Sequence, residues 1–244
     1  ENFEKAVSEL VQSKHAIAVN SCTAALHLAL IAAGVKPGDE VITSPMTFAA
    51  TSNAVLYIGA KPVFADIDTK TMNIDPSEIK KNITGKTKAL LPVHYAGQPC
   101  DMDEILEIAE DNDIAVVEDA AHAIGAKYKK KPVGSIGNAT CFSFHGAKNV
   151  VSGEGGMVPT NSAEIAQMVK LHRSHGISKE ARERHGNKAG WHYEMRHLGY
   201  NYRITDIQAA LGLSQLRKLG KFQALRERYV EMYNREFSDV AEIV

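Results

Sequence analysis

His15-Ala16-Ile17-Ala18-Val19-Asn20-Ser21-Cys22-Thr23-Ala24-Ala25-Leu26-His27-Leu28-Ala29-Leu30 decides the fold class. Its first five residues are an apolar run without polar alternation, the pattern of a strand buried on both faces. Ser21 can cap a helix from Cys22 to Ala33, which Gly34 stops and Pro37 confirms. A buried strand that turns straight into a helix is the opening unit of an α/β domain. The same alternation continues outward from it. Strands are predicted at Glu40–Thr43, Pro62–Ile67, Lys88–Val93, Ile114–Asp119, Thr140–Phe144 and Gly156–Thr160. Helices are predicted from about Thr47 to Ile58, ending at Gly59, and from Ser162 to His172. Another starts at Asp75-Pro76-Ser77-Glu78, with an N-cap, Pro at N1 and a capping-box Glu. Asp101 caps one more, with Ile105, Ile108 and Ala109 on one face. Together these predict an α/β fold with a mostly parallel central sheet and helices on both faces.

Residues Gly176 to Gly190 are polar and basic and read as a long surface excursion. Thr205-Asp206-Ile207-Gln208 is a capping box that opens a helix with Ile207, Ala210, Leu211 and Leu216 at helical spacing. A last helix carries Phe222, Leu225, Tyr229 and Tyr233 as a stripe suited to core or domain packing. Glu1 is not Met, Asn2–Lys5 already reads as mid-helix, and no closing element precedes Val244. The expectation is a fragment: residues 1–220 as a large domain with a truncated N-terminus, and 221–244 as a helix leading to a missing C-terminal small domain.

With 44% hydrophobic and 23% charged residues among 244, the composition is that of a globular domain. The net charge of −1 gives no electrostatic reason to expect nucleic acid or an anionic membrane as partner. The longest apolar run, Ala24 to Ala33, contains His27 and is too short to span a bilayer. Cys22, Cys100 and Cys141 lie far apart without metal-ligand spacing. They suit a reducing, cytoplasmic compartment, and no metal is expected.

The chemistry is expected at the carboxyl ends of the strands, where open α/β sheets bind ligands. Lys148 follows the strand-like run Thr140–Phe144 in a loop of small residues, and no acid lies between Asp119 and Lys148. Such an amine can lose hydration and attack a carbonyl, as a Schiff-base lysine must. Ser21, Cys22 and Thr23 form a strand-to-helix turn whose free N–H groups and dipole would hold a phosphate; the same residues also serve as plain helix caps. Asp119 ends a buried strand and needs a cationic partner, a pyridinium nitrogen or a structural base. His122 can lie on the same side. Phe48 can cover a flat ligand or join the core. Ser143 can add a phosphate hydroxyl.

These residues, in order, resemble the DegT-type nucleotide-sugar aminotransferases, pyridoxal 5'-phosphate enzymes of fold type I. The matching stretches are Asn20–Leu30, Pro37–Thr43, Pro92–Gly97, Val117–His122, Phe142–Asn149, Gly153–Met157 and Leu198–Arg203. The resemblance implies that Lys148 holds the cofactor covalently and then moves the proton. Asp119 would pair with the pyridine nitrogen, His122 would lie beside the ring, and Phe48 would stack on it. Thr23, the Cys22–Thr23 backbone and Ser143 would bind the phosphate. Asn201, or Arg203 in its place, would reach the phosphate of a neighbouring subunit across a homodimer. Trp191 and Tyr193 are candidates for substrate contact. Cys22 stands where many relatives carry Gly or Ala.

The implied activity is transfer of an amino group from L-glutamate to C4 of a UDP-linked 4-keto-6-deoxy sugar, for surface polysaccharide. The alternatives are a transaminase of a non-sugar cyclic ketone, a sugar dehydratase, whose relatives carry His at the lysine position, and a non-catalytic regulatory homologue.

Overall fold

The computed structural model describes residues 1–177 and 194–240. The strands are β1 (His15–Val19), β2 (Glu40–Thr43), β3 (Lys61–Phe64), β4 (Thr87–Leu91), β5 (Ala115–Asp119), β6 (Lys127–Tyr128), β7 (Lys131–Pro132), β8 (Ala139–Ser143) and β9 (Gly156–Thr160). The helices are α1 (Asn2–Val11), α2 (Cys22–Ala32), α3 (Ala49–Tyr57), α4 (Pro76–Asn82), α5 (Met102–Asp111), α6 (Ala163–His172), α7 (Asp206–Leu216) and α8 (Leu219–Glu236).

Seven strands form one sheet in the order β1-β9-β8-β5-β4-β2-β3. The joints from β3 through β8 are parallel. β9 alone runs against both of its neighbours, β8 and β1. A short buried run such as Gly156–Thr160 carries no sign of direction, so the sequence could not mark this reversal.

Side-chain parity explains the absence of polar alternation. Ile17, Val19, Val41, Leu91, Val117, Cys141 and Val158 pack on one face, under α2, α3 and α6. Their neighbours Ala16, Ala18, Ile42, Leu90, Val116, Phe142 and Met157 pack on the other. There α1 covers one end of the sheet and α4 with α5 the other. Both faces are buried along the central strands, so both of their registers are largely apolar, whereas the edge strand β3 is partly exposed.

Helix starts follow their caps. Ser21 accepts the Ala24 N–H, Asp75 that of Ser77 and Ser162 that of Ile165. The Thr205–Gln208 capping box is complete. Two expectations fail. Asp101 makes no side-chain cap bond, because its Oδ1 accepts the Tyr128 hydroxyl at 2.6 Å. Glu78 is drawn to Lys81 rather than back to its N-cap.

α7 packs inward through Ala209, Leu213 and Leu216, with Gly212 against the Phe3 ring. Ile207 and Leu211 face outward instead. On α8, Leu225, Tyr229 and Tyr233 are exposed among the described residues. Most of the Gly176–Gly190 excursion, with Trp191 and Tyr193, lies outside the described residues.

Candidate active site

Parity also sorts the two acids that end β5. Asp119 shares the face of Val117, toward α2 and α3, and Glu118 the opposite one. Asp119 is buried and sits beside Cys141 of β8. Its Oδ2 accepts the Thr51 hydroxyl at 2.7 Å and its Oδ1 the Ala121 N–H at 3.1 Å. Burial raises its carboxyl above the usual range, and these two bonds oppose the rise. Both donors are neutral, so its charge has no cation in hydrogen-bond contact among the described residues. A protonated ring nitrogen is the kind of partner such a group accepts.

Lys148 rises from the turn that links β8 to β9. The turn is closed by Phe144 N–H to the Gly155 carbonyl at 2.9 Å and Ser152 N–H to the Phe144 carbonyl at 2.8 Å. Lys148 is half-buried, and its Nζ lies 2.6 Å from His122 Nε2. With the ammonium as donor, the His122 proton sits on Nδ1. The surrounding protein lowers the His122 imidazole, Lys148 lowers it further, and Asp119 opposes. Asn149 donates to the His122 carbonyl at 3.1 Å and ties the two loops together.

The turn at Ser21–Thr23 opens the eleven-residue helix α2. Cys22 Sγ lies 3.6 Å from the Cys141 carbonyl, next to Asp119 in the sheet. Burial and then the Asp119 carboxylate push the Cys22 thiol up, against Lys148, so it is a neutral wall and not a nucleophile. Gly156 passes beneath this turn. A Cβ there would collide with the Ser21 carbonyl oxygen and lie 2.8 Å from the Cys22 nitrogen. Ser143 pairs with Gly156 across β8 and β9 and is therefore at the same corner. A helix start with unused N–H groups, a close glycine and flanking hydroxyls fits a phosphate.

Asp119, His122, Lys148, Cys22, Thr23 and Ser143 thus lie at one end of the sheet. Phe48 is the N-cap of α3 at the same end and is 81% exposed. Asn201 and Arg203 are also exposed, and the Tyr202 carbonyl between them accepts the Asn20 N–H at 2.9 Å. This segment borders the turn, but no contact joins either side chain to Lys148 or Asp119.

Two groups were missed. Thr51 touches Asp119 directly. On the other face, Glu118 Oε1 accepts Gly137 N–H at 2.8 Å and the Thr140 hydroxyl at 2.7 Å, while Oε2 meets His94 Nε2 at 2.8 Å. His94 Nδ1 accepts the Cys100 N–H, so Nε2 carries the proton toward Glu118. Both acids of Glu118-Asp119 were visible as a pair, but only their opposite facing separates an anchor from a site residue. Among the described residues no His, Cys, Asp and Glu cluster could hold a metal.

The sequence profile of the DegT/DnrJ/EryC1/StrS aminotransferase family matches residues 1–244. The chain belongs to this family. It is 48% identical over 244 residues to the spore coat polysaccharide biosynthesis protein SpsC of Bacillus subtilis, covering 100% of this chain and 63% of that one. It is 45% identical over 236 residues to GDP-perosamine synthase of Caulobacter vibrioides, covering 97% and 61%. The chain therefore spans less than two thirds of the length of these curated relatives. Among solved structures, the putative sugar aminotransferase Spr1654 of Streptococcus pneumoniae in its PLP form superposes with a TM-score of 0.89 at 32% identity, covering 97% of this chain and 63% of that one. The family assignment, the α/β fold and pyridoxal phosphate as the family's cofactor all accord with the resemblance read from the motifs. No helix among the described residues is long and apolar enough to cross a membrane.

Proposed function

We propose that the protein is a pyridoxal-phosphate aminotransferase that moves an amino group from L-glutamate to a nucleotide-linked keto sugar for polysaccharide assembly. The observation that carries this is the meeting of a lysine amine, a buried carboxylate with neutral donors only, and a helix start with free N–H groups. The cofactor, when bound, supplies an electron-withdrawing ring that makes the donor's Cα–H acidic. Lys148 would anchor it and carry that proton on Nζ. His122 holds Nζ in place and would lie beside the ring. Asp119 would keep the ring nitrogen protonated. Thr23, the Cys22 and Thr23 N–H groups and Ser143 would hold the phosphate, and Phe48 would cover one ring face.

The finer reading is C4 of a UDP-linked 4-keto-6-deoxy sugar, in a cytoplasmic homodimer with Asn201 serving the neighbour's phosphate. The exposed positions of Asn201 and Phe48 agree with a site completed by a second copy. The polysaccharide role rests on the name of SpsC, and the sugar nucleotide on the perosamine enzyme, whose nucleotide is GDP.

The test is the visible absorption of the protein with pyridoxal phosphate, before and after L-glutamate. A band that forms and then bleaches supports the reading. A folded protein that forms no band refutes it. Labelled glutamate nitrogen, followed into UDP-, GDP- and TDP-linked keto sugars, then identifies the acceptor.

A further inference from the structure

Thr51 lies on the buried side of α3 and has no exposed surface. Its hydroxyl is 2.7 Å from Asp119 Oδ2 and 2.6 Å from Thr47 Oγ1. A hydroxyl has one proton to give, and an ionised carboxylate only accepts. With Asp119 ionised, Thr51 therefore donates to it, and Thr47 donates to Thr51. The order is fixed: Thr47 hydroxyl, Thr51 hydroxyl, Asp119 Oδ2. The other oxygen is held by Ala121, so neither is free to rotate.

The backbone reinforces this. The Thr51 N–H bonds the Phe48 carbonyl at 3.1 Å, within the first turn of α3. One rigid turn thus carries the exposed aromatic and the buried hydroxyl. Whatever fixes Thr51 against Asp119 also fixes the backbone that bears Phe48.

We propose that Thr51, backed by Thr47, is a positioning residue that sets the rotation of the Asp119 carboxylate and keeps it ionised in its buried place. This rests on the reading of Asp119 as partner of the cofactor nitrogen. Burial favours the neutral acid, and a hydroxyl donor favours the anion. Thr51, backed by Thr47, is therefore one local counterweight to burial, beside the Ala121 N–H and the more distant His94 and His122, in a place where a lysine or arginine would compete with the ring for the carboxylate.

The test compares Thr51→Val, Thr51→Ser and Thr47→Val with the unaltered protein. The first readout is the titration of the Asp119 carboxyl in cofactor-free protein, by carbon NMR with labelled aspartate. The second is cofactor affinity by absorbance. Thr51→Val should move the Asp119 midpoint upward and weaken cofactor binding roughly tenfold, the loss expected for a hydrogen bond to a charged group. Thr51→Ser should restore both, and Thr47→Val should move both in the same direction by less. An unchanged midpoint in Thr51→Val, or a Thr51→Ser protein no better than it, overturns the proposal. If Thr51→Val does not fold, an unchanged midpoint in Thr47→Val does so. A raised midpoint in a protein that never binds the cofactor would leave Thr51's role standing and remove the cofactor reading alone.

Discussion

Lys148 Nζ lies 2.6 Å from His122 Nε2, and the two loops that bear them are tied again by Asn149. An ammonium can approach an imidazole this closely only while the ring is neutral. Burial lowers the His122 imidazole, and Lys148 lowers it further in keeping with that contact.

Replacing Lys148 with Ala should therefore do two things. The visible cofactor band should disappear, and the His122 midpoint, followed by NMR of the imidazole, should rise as one opposing charge is removed. Stability follows the same sign. His122 is lowered in the folded state, so below about pH 6.5 the unfolded chain binds the proton more readily. Stability from this group is full at higher pH and is lost as pH falls through that window. His122→Asn should flatten this part of the pH profile in urea unfolding. Parallel profiles for the two proteins would refute the coupling.

The close approach at Gly156 makes a sharper contrast. Gly156→Ala pushes a methyl into the Ser21 carbonyl and should cost about 1–3 kcal/mol, with weaker cofactor binding. Gly146→Ala, in the lysine loop, meets nothing within 4 Å and should stay within about 0.5 kcal/mol of the unaltered protein. Thermal unfolding and cofactor titration of the two variants decide the matter. Equal effects would mean that the turn does not depend on the glycine.

Phe48 separates binding from stability. As an exposed side chain its loss in Phe48→Ala should change unfolding by no more than about 0.5 kcal/mol. Cofactor affinity should fall severalfold, up to roughly tenfold, from lost ring stacking. Unchanged affinity would remove Phe48 from the site.

Glu118 is the reverse case, an acid that supports and does not bind. All its bonds run to Gly137, Thr140 and His94 inside the fold. Glu118→Ala leaves His94 and two donors unpaired and should cost about 3–5 kcal/mol, measured by urea unfolding. A cost under 1 kcal/mol would show that water replaces the carboxylate.

Local signals carried most of the fold. Ser21, Asp75, Ser162 and Thr205 each announce a helix by a cap whose donors lie within three residues, and unbroken apolar runs such as Val116-Val117 announce two-sided burial. The candidate site was legible where a residue type is scarce in its setting: a lysine among small residues, an acid at a strand tip. Thr51 was not legible, because a threonine in an apolar helix has no sequence mark and its partner lies 68 residues away. Asp101 misled for the same reason, since Tyr128, distant in sequence, outcompeted the nearby N–H groups. The reversal of β9 depends on which strand it meets, and no pattern within the five residues Gly156–Thr160 records that.

That reversal has a consequence for the lifetime of the protein. It brings a turn at residues 21–23 against a hairpin tip at 144–155, and Cys22 meets Cys141 across 119 residues of chain. A cofactor held at both would act as a staple between two segments distant in sequence, gripping only the folded chain. At a free concentration one hundred times its dissociation constant it would add about 2.7 kcal/mol against unfolding. Without the cofactor the chain would lose that increment and would open more often.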